Sequence, residues 1–314
     1  MTDPWIRLGN FLFEKNDFDN ALKVYKEGLA IEEKVFEETH PNIIVTLSNI
    51  AEIYRQQGLF DQAIKLYTKA MKLQRNRHGC NSPEVAGALN VIGLIHDQKG
   101  EYALAMKFLQ EALVIRRTVL GDDHIDVAST MSYLGSVFFK RNLICTALDL
   151  FSRSLDIRIA SRGRRDRDVA FTLYNIGLCH QAQNDNTTAM VFFEKTLAIE
   201  ESLLGKSHKD VALTLSKIGE TCLEENLLDR ALTYFQRALE IEKQSGECDY
   251  FAIAKTYNSM GNVYLQKNEI DLMMKAFIES ARLYQNTGFS VNTVKVTPIL
   301  RFLGISLAAS AAAA

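Results

Sequence analysis

The chain has 314 residues, 47% hydrophobic and 24% charged, with 36 Lys+Arg against 38 Asp+Glu. That is the composition of a folded globular chain and excludes wholesale disorder, while only 4 prolines and 17 glycines exclude collagen-like and low-complexity chains. A net charge of −2 supplies no general attraction to nucleic acid or to an anionic membrane.

The start, Met1-Thr2-Asp3-Pro4-Trp5, has no basic region followed by an apolar run, so it does not read as a secretory signal. No apolar stretch approaches the roughly 18 residues of a membrane span. The cysteines (Cys80, Cys145, Cys179, Cys222 and Cys248) are odd in number, far apart and without a C-x-x-C pair. They are expected as free thiols among packed helices, in a reducing, cytoplasmic setting.

The first predicted element is a helix, with Asp3 as its N-cap and Pro4 in its first turn. It is one of seven copies. Steps of 42 residues from Gly9 land on Ala51, Gly93, Gly135, Gly177, Gly219 and Gly261, with no insertion needed. Four residues before these anchors stand Trp5, Leu47, Leu89, Met131, Leu173, Leu215 and Tyr257. One before stand Leu8, Ile50, Ile92, Leu134, Ile176, Ile218 and Met260. Three after stand Leu12, Tyr54, His96, Phe138, His180, Cys222 and Tyr264. This spacing is one face of a helix, with a small residue in its middle where a neighbouring backbone can approach.

Seven residues after each anchor lie Asn16, Gly58, Gly100, Asn142, Asn184, Asn226 and Asn268. Asn and Gly are the residues that tolerate the left-handed conformation ending a helix, so a tight turn is predicted at each. A second helix follows. Its columns are Ala21, Ala63, Ala105, Ala147, Ala189, Ala231 and Met273, then Tyr25, Tyr67, Leu109, Phe151, Phe193, Phe235 and Phe277 four residues on. Alternating small and large residues predict interdigitated packing of the two helices. Gly79, Gly121, Gly163 and Gly205 are placed to end second helices. Asp126, Asp168 and Asp210 are placed to favour the next first helix by capping or dipole interaction.

These columns resemble the tetratricopeptide repeat pattern W-x2-L-G-x2-Y, A-x3-F, P, which Trp5, Leu8, Gly9, Ala21 and Tyr25 match, with Leu12 in the Tyr place. The terminal Pro is missing and each unit is eight residues longer than the 34-residue form. The longer second helix and linkers such as Leu204-Gly-Lys-Ser-His-Lys-Asp-Val-Ala212 look like the kinesin light chain type of repeat. The resemblance implies an all-α, right-handed superhelical solenoid of seven helix-turn-helix repeats over residues 3–288. First helices would line a concave face that binds peptides or helices. Residues 289–314 are expected to hold a capping helix beginning at Pro298 and an Ala-rich tail.

The candidate groove residues occupy first-helix columns that vary between copies while the core columns do not. They are Asn49, Arg55, Asn90, Leu94, Tyr133, Phe139, Lys140, Tyr174, Asn175, Leu178, Lys217, Asn258 and Asn262. Asn side chains both donate and accept, so they can hold an extended peptide backbone. Asn49, Asn90, Asn175 and Asn258 also fall where the kinesin light chain type carries its L-N-N-L-A asparagines. The middle copies are more apolar, through Val91, Leu94, Tyr133, Phe139, Phe171, Tyr174 and Leu178, and are expected to grip apolar anchors of a partner. Arg55, Lys140 and Lys217 would favour nearby acidic residues. Four arginines in residues 162–167 are expected as a solvated inter-repeat loop.

No P-loop, G-x-G-x-x-G, G-x-S-x-G or H-E-x-x-H occurs, so no enzyme activity, cofactor or metal is expected. His96 and His180 fall in a core column. His40, His124 and His208 are two repeats apart and are expected to pack or cap at linkers. The sequence predicts a non-catalytic adaptor for a protein or peptide partner, with no membrane or nucleic-acid partner. The alternative is an architectural subunit held permanently in a larger assembly.

Overall fold

The turn column decides the local geometry. Asn16, Asn142, Asn184, Asn226 and Asn268 adopt φ of 59–60°, and Gly58 and Gly100 adopt 74° and 77°. The N–H of the following residue then reaches back five residues, as in Asp17 to Leu12 (3.0 Å), Leu143 to Phe138 (2.9 Å) and Leu227 to Cys222 (2.8 Å). This closure satisfies carbonyls that a helix end would leave orphaned.

The computed structural model describes residues 4–244 and 249–286, and every element in them is helical. The chain divides into two units, Met1–Ser161 and Arg162–Ala314. The first holds α1 (Pro4–Glu14), α2 (Phe18–Val35), α3 (Pro41–Gln56), α4 (Phe60–His78), α5 (Pro83–Gln98), α6 (Tyr102–Leu120), α7 (Ile125–Lys140) and nearly all of α8 (Ile144–Arg162). The second holds α9 (Arg167–Ala182), α10 (Asn186–Leu204), α11 (Lys209–Glu224), α12 (Leu228–Gln244), α13 (Tyr250–Gln266) and α14 (Ile270–Asn286). Odd-numbered helices are the predicted first helices, and even-numbered ones the second.

Within a pair, the aromatic column packs on the anchor column. A Cβ placed on Gly177 would lie 2.6 Å from Phe193, and one on Gly261 2.5 Å from Phe277. The missing side chains let Phe193, Phe235 and Phe277 be fully buried. Between pairs, the column one before the anchor is buried from Ile50 to Met260. Leu8 in that column is exposed, because among the described residues no helix precedes α1.

The linkers form caps. Gly79, Gly121 and Gly205 end α4, α6 and α10 at φ of 85–86°. His40, His124 and His208 are the N-caps of α3, α7 and α11. The Nδ1 of each accepts the N–H two residues on, at 3.1–3.3 Å. Asp166 does the same for α9 with a carboxylate oxygen, and the Ser82 hydroxyl caps α5 by accepting the Val85 N–H three residues on (3.3 Å). Asp126, Asp168 and Asp210 sit in first turns, where a negative charge meets the positive end of the helix dipole.

Repeat-spaced polar bonds mark two layers in each unit. First helices are tied side by side by Arg55 to Gln98 (3.3 Å) and Lys140 to Asp97 (2.6 Å) in the first unit, and by Gln181 to Glu224 (3.2 Å) in the second. Second helices are tied by Lys69–Glu33 (3.2 Å) and Arg75–Glu111 (2.7 Å), and in the second unit by Arg237–Glu201. Such surface pairs contribute at most about 1 kcal/mol each, so they report register more than they hold it. The expected N-cap Asp3 and the expected capping helix after residue 288 lie outside the described residues.

Candidate protein-binding face

The outer surface of the first-helix layer is built from columns pointing away from the partner helix. In the first unit it carries Asn49, Arg55, Leu94, Tyr133, Phe139 and Lys140. Lys140 is exposed and the others are half-buried. In the second unit it carries Asn175, Leu178, Lys217, Asn258 and Asn262, all half-buried, with Tyr174 at the edge of the core. Asn90 differs from these. It is 6% exposed, and its Oδ1 meets no protein donor.

Several of these side chains are already engaged. Arg55 forms a two-pronged bond to Glu52, at 2.8 and 2.6 Å, and Glu52 also accepts from Gln56 and Tyr67. Burial pulls the Glu52 carboxyl up, but the Arg55 and Gln56 donors outweigh it and hold it below the usual range. Lys140 pairs with Asp97. Lys217 pairs with Glu220, which also takes Lys255 at 3.0 Å. The Asn175 amide donates to the Phe171 carbonyl (2.7 Å), and Asn49 to Asn10 (3.3 Å). The cations on this face are thus balanced by local carboxylates. What remains outward is amide edges and apolar surface.

That apolar surface is anchored from beneath. Val91 packs on the α3–α6 core and Tyr133 on the α6–α7 core. In the second unit Tyr174 and Leu178 pack on the α10–α13 core, with the Tyr174 and Phe193 rings 5.5 Å apart. Burial raises the Tyr174 hydroxyl pKa, so Tyr174 presents a neutral phenol. Residues rigid at the base and open at the tip cost little entropy when a partner covers them.

Sequence reading missed one polar column, which runs Glu32, Gln74, Arg116, Arg158, Glu200 and Glu242 near the ends of second helices, with Glu32 and Arg158 buried and the others half-buried. Its signal was visible, since a polar residue recurs every 42 positions on an otherwise packed helix. Arg116 donates to the Asp126 carbonyl (2.8 Å) and to Thr130 (2.7 Å). Glu200 instead accepts from Thr214 at 2.7 Å, and burial pushes its carboxyl up to about 7. Glu200 lies in a cavity of about 300 Å³ between α9, α10 and α11. A second cavity of about 460 Å³, between α11, α12 and α13, contains Glu242.

The histidines and thiols have structural surroundings. His96 stacks on Phe108 and bonds Glu101 at 2.6 Å, while His180 stacks on Phe192 beside Asp185. Cys179 and Cys222 are buried free thiols, and Cys248 lies outside the described residues. In the basic loop, Arg162 pairs with Asp168 (3.2 Å) and Arg167 with Asp210 (3.0 Å), while Arg164 and Arg165 are exposed. Among the described residues no three metal-ligating side chains gather, and no helix is long and apolar enough to cross a membrane.

No curated protein matches the chain. Solved structures do. BtubC (BKLC) from P. vanneervenii superposes with a TM-score of 0.62 at 19% identity, covering 74% of this chain and 91% of that one. A Podosopora anserina protein assigned as a kinesin light chain, with nearly identical TPR-like repeats, gives 0.54–0.55 at 15%, covering 63–64% and 93–95% of the respective chains in two crystal structures. The apo quorum sensor NprR from B. thuringiensis gives 0.64 at 14%, covering 90% and 82%. These likenesses show the fold. The tetratricopeptide repeat family profile matches residues 2–76, 43–118, 84–160, 168–244 and 210–286. The chain belongs to the tetratricopeptide repeat family.

Proposed function

We propose that this chain is a non-catalytic adaptor that binds peptide or helical segments of a partner protein along the outer surface of its first helices. A general role as a protein-interaction scaffold follows from family membership. The finer reading is carried by one observation. Leu94, Tyr133 and Leu178 present half-buried apolar tips between amide-bearing neighbours, on a face whose cations are already paired. Apolar tips supply anchors, and Asn49, Asn175, Asn258 and Asn262 supply donors and acceptors for a peptide backbone. Because Arg55, Lys140 and Lys217 are paired, acidic partner residues would compete with Glu52, Asp97 and Glu220, and apolar anchors matter more than charge. The test is selection of disordered peptides by the full chain, followed by affinity measurements with Leu94→Ala and Tyr133→Ala. Loss of about tenfold or more supports the reading, and unchanged affinity in both variants overturns it.

The second reading, a permanent architectural subunit, is favoured by apolar exposure on the second helices, where Val35 is 67% and Val114 64% exposed. Co-purification of a stoichiometric partner that survives high salt and is lost in Val114→Asp would favour it.

A further inference from the structure

The cavity between α9, α10 and α11 combines a half-buried acid with an open apolar mouth. Phe171, Leu203 and Leu213 line it and remain 45–51% exposed, an unusual cost for three large apolar residues around one opening. Tyr174 forms an inner wall. Glu200 also lines the cavity, and the protein donor it meets is the Thr214 hydroxyl. The cation that lines the cavity, Arg167 of α9, is bound to Asp210 of α11 instead. Glu200 and Asp210 against Arg167 leave the cavity with a net negative balance. At the equivalent place in the first unit, Arg116 is held by a backbone carbonyl and a threonine. The α9–α11 cavity therefore places a carboxylate where the α6–α7 junction places a guanidinium, and the guanidinium that lines it, Arg167, is bonded to Asp210.

We propose that this cavity is a binding site for an arginine side chain of a partner peptide, with the guanidinium on the Glu200 carboxylate and the aliphatic stem between Phe171, Leu203 and Leu213. Charge complementarity selects a cation, because a half-buried carboxylate with a hydroxyl donor gains most from a fixed positive partner. The aromatic walls select the planar guanidinium, which stacks on rings and is desolvated more easily than an ammonium. A volume of about 300 Å³ is at the small end of ligand pockets and suits one side chain rather than a cofactor. The site lies at the loop-side edge of the first helices, with Phe171, Tyr174 and Leu213 in their N-terminal halves. The proposal rests on the segment-binding reading but concerns a separate subsite.

The test uses the full chain and two blocked pentapeptides of sequence Ala-Leu-Arg-Leu-Ala, one with arginine and one with the neutral isostere citrulline. Leucine methyl signals of the chain are followed by NMR during titration. The expected result is binding of the arginine peptide at least tenfold tighter than the citrulline peptide, with the Leu203 and Leu213 signals shifted. Glu200→Gln removes the preference, and the exposed-site variant Leu213→Ala weakens both peptides several-fold without altering the fold. Equal binding of both peptides, an arginine preference that survives Glu200→Gln, or no shift at millimolar peptide would overturn the proposal. Those negative results leave the effect of Leu94→Ala and Tyr133→Ala on selected peptides unchanged, so the two readings fail separately.

Discussion

Glu200 and Thr214, fourteen residues apart, meet through a hydroxyl–carboxylate bond of 2.7 Å, and Glu242 and Thr256 repeat the arrangement one copy later at 3.2 Å. Each pair joins the end of a second helix to the start of the next first helix. In both, burial pushes the carboxyl up to about 7 against the hydroxyl that pulls it down. The acid is therefore a liability when ionised.

A pH dependence with a definite sign follows. An unfolded glutamate titrates near 4.3, so between roughly pH 4 and 7 the folded chain binds more protons than the unfolded one. The stabilisation is full at the acid end of that window and is lost as pH rises through about 7. Glu200→Gln should raise Tm by about 2–4 °C at pH 8 and leave it unchanged at pH 4, equivalent to about 1 kcal/mol. Equal shifts at both values would show that Glu200 is already solvated.

The anchor column gives a graded series. A Cβ meets Phe277 at 2.5 Å from Gly261 and Phe193 at 2.6 Å from Gly177, but meets Phe151 at 3.1 Å from Gly135. Overpacking costs about 1–3 kcal/mol, whereas replacing a helical Gly by Ala gains about 1 kcal/mol in propensity. Gly261→Ala and Gly177→Ala should lose stability in urea, while Gly135→Ala should come out near zero. A uniform loss at all three would contradict the packing geometry.

The turns are tested by Asn184, whose φ is 60°. Asn184→Gly should be neutral within about 0.5 kcal/mol, and Asn184→Val should cost about 1–2 kcal/mol, since a β-branched residue resists that conformation. Similar effects from both substitutions in thermal unfolding would mean that the turn relaxes.

His124 caps α7 through Nδ1 at 3.1 Å from the Asp126 N–H. His124→Ala should cost about 0.5–2 kcal/mol, and His124→Asp should be nearly neutral because a carboxylate accepts the same N–H. Equal losses in calorimetry would move the role of His124 from capping to packing.

The repeat was legible because packing and turn geometry impose the same residue types every 42 positions. Gly or Ala faces the aromatic column, and Asn or Gly holds positive φ. The linker histidines were legible as caps or packing residues by the same logic. The site was less so. Asn90 shares a column with the surface residue Asn258 yet is buried, because how far each helix rolls onto its partner depends on the side chains opposite, which spacing does not encode. The pairing of Arg55 with Glu52, and of Lys140 with Asp97 across a repeat, turned expected free cations into local ion pairs. Glu200 went unnoticed because the residue type in its column changes between copies, and a polar residue near a helix end reads as solvated surface until the next helix covers it.

The most direct measurement is the affinity of a selected peptide for the wild-type chain, for Leu94→Ala and Leu178→Ala on the first helices, and for Val114→Ala on the outer face of α6, with folding checked by circular dichroism. The account predicts a loss of about tenfold or more in the two first-helix variants and no change in Val114→Ala. Binding that ignores Leu94 and Leu178 but collapses in Val114→Ala would contradict it.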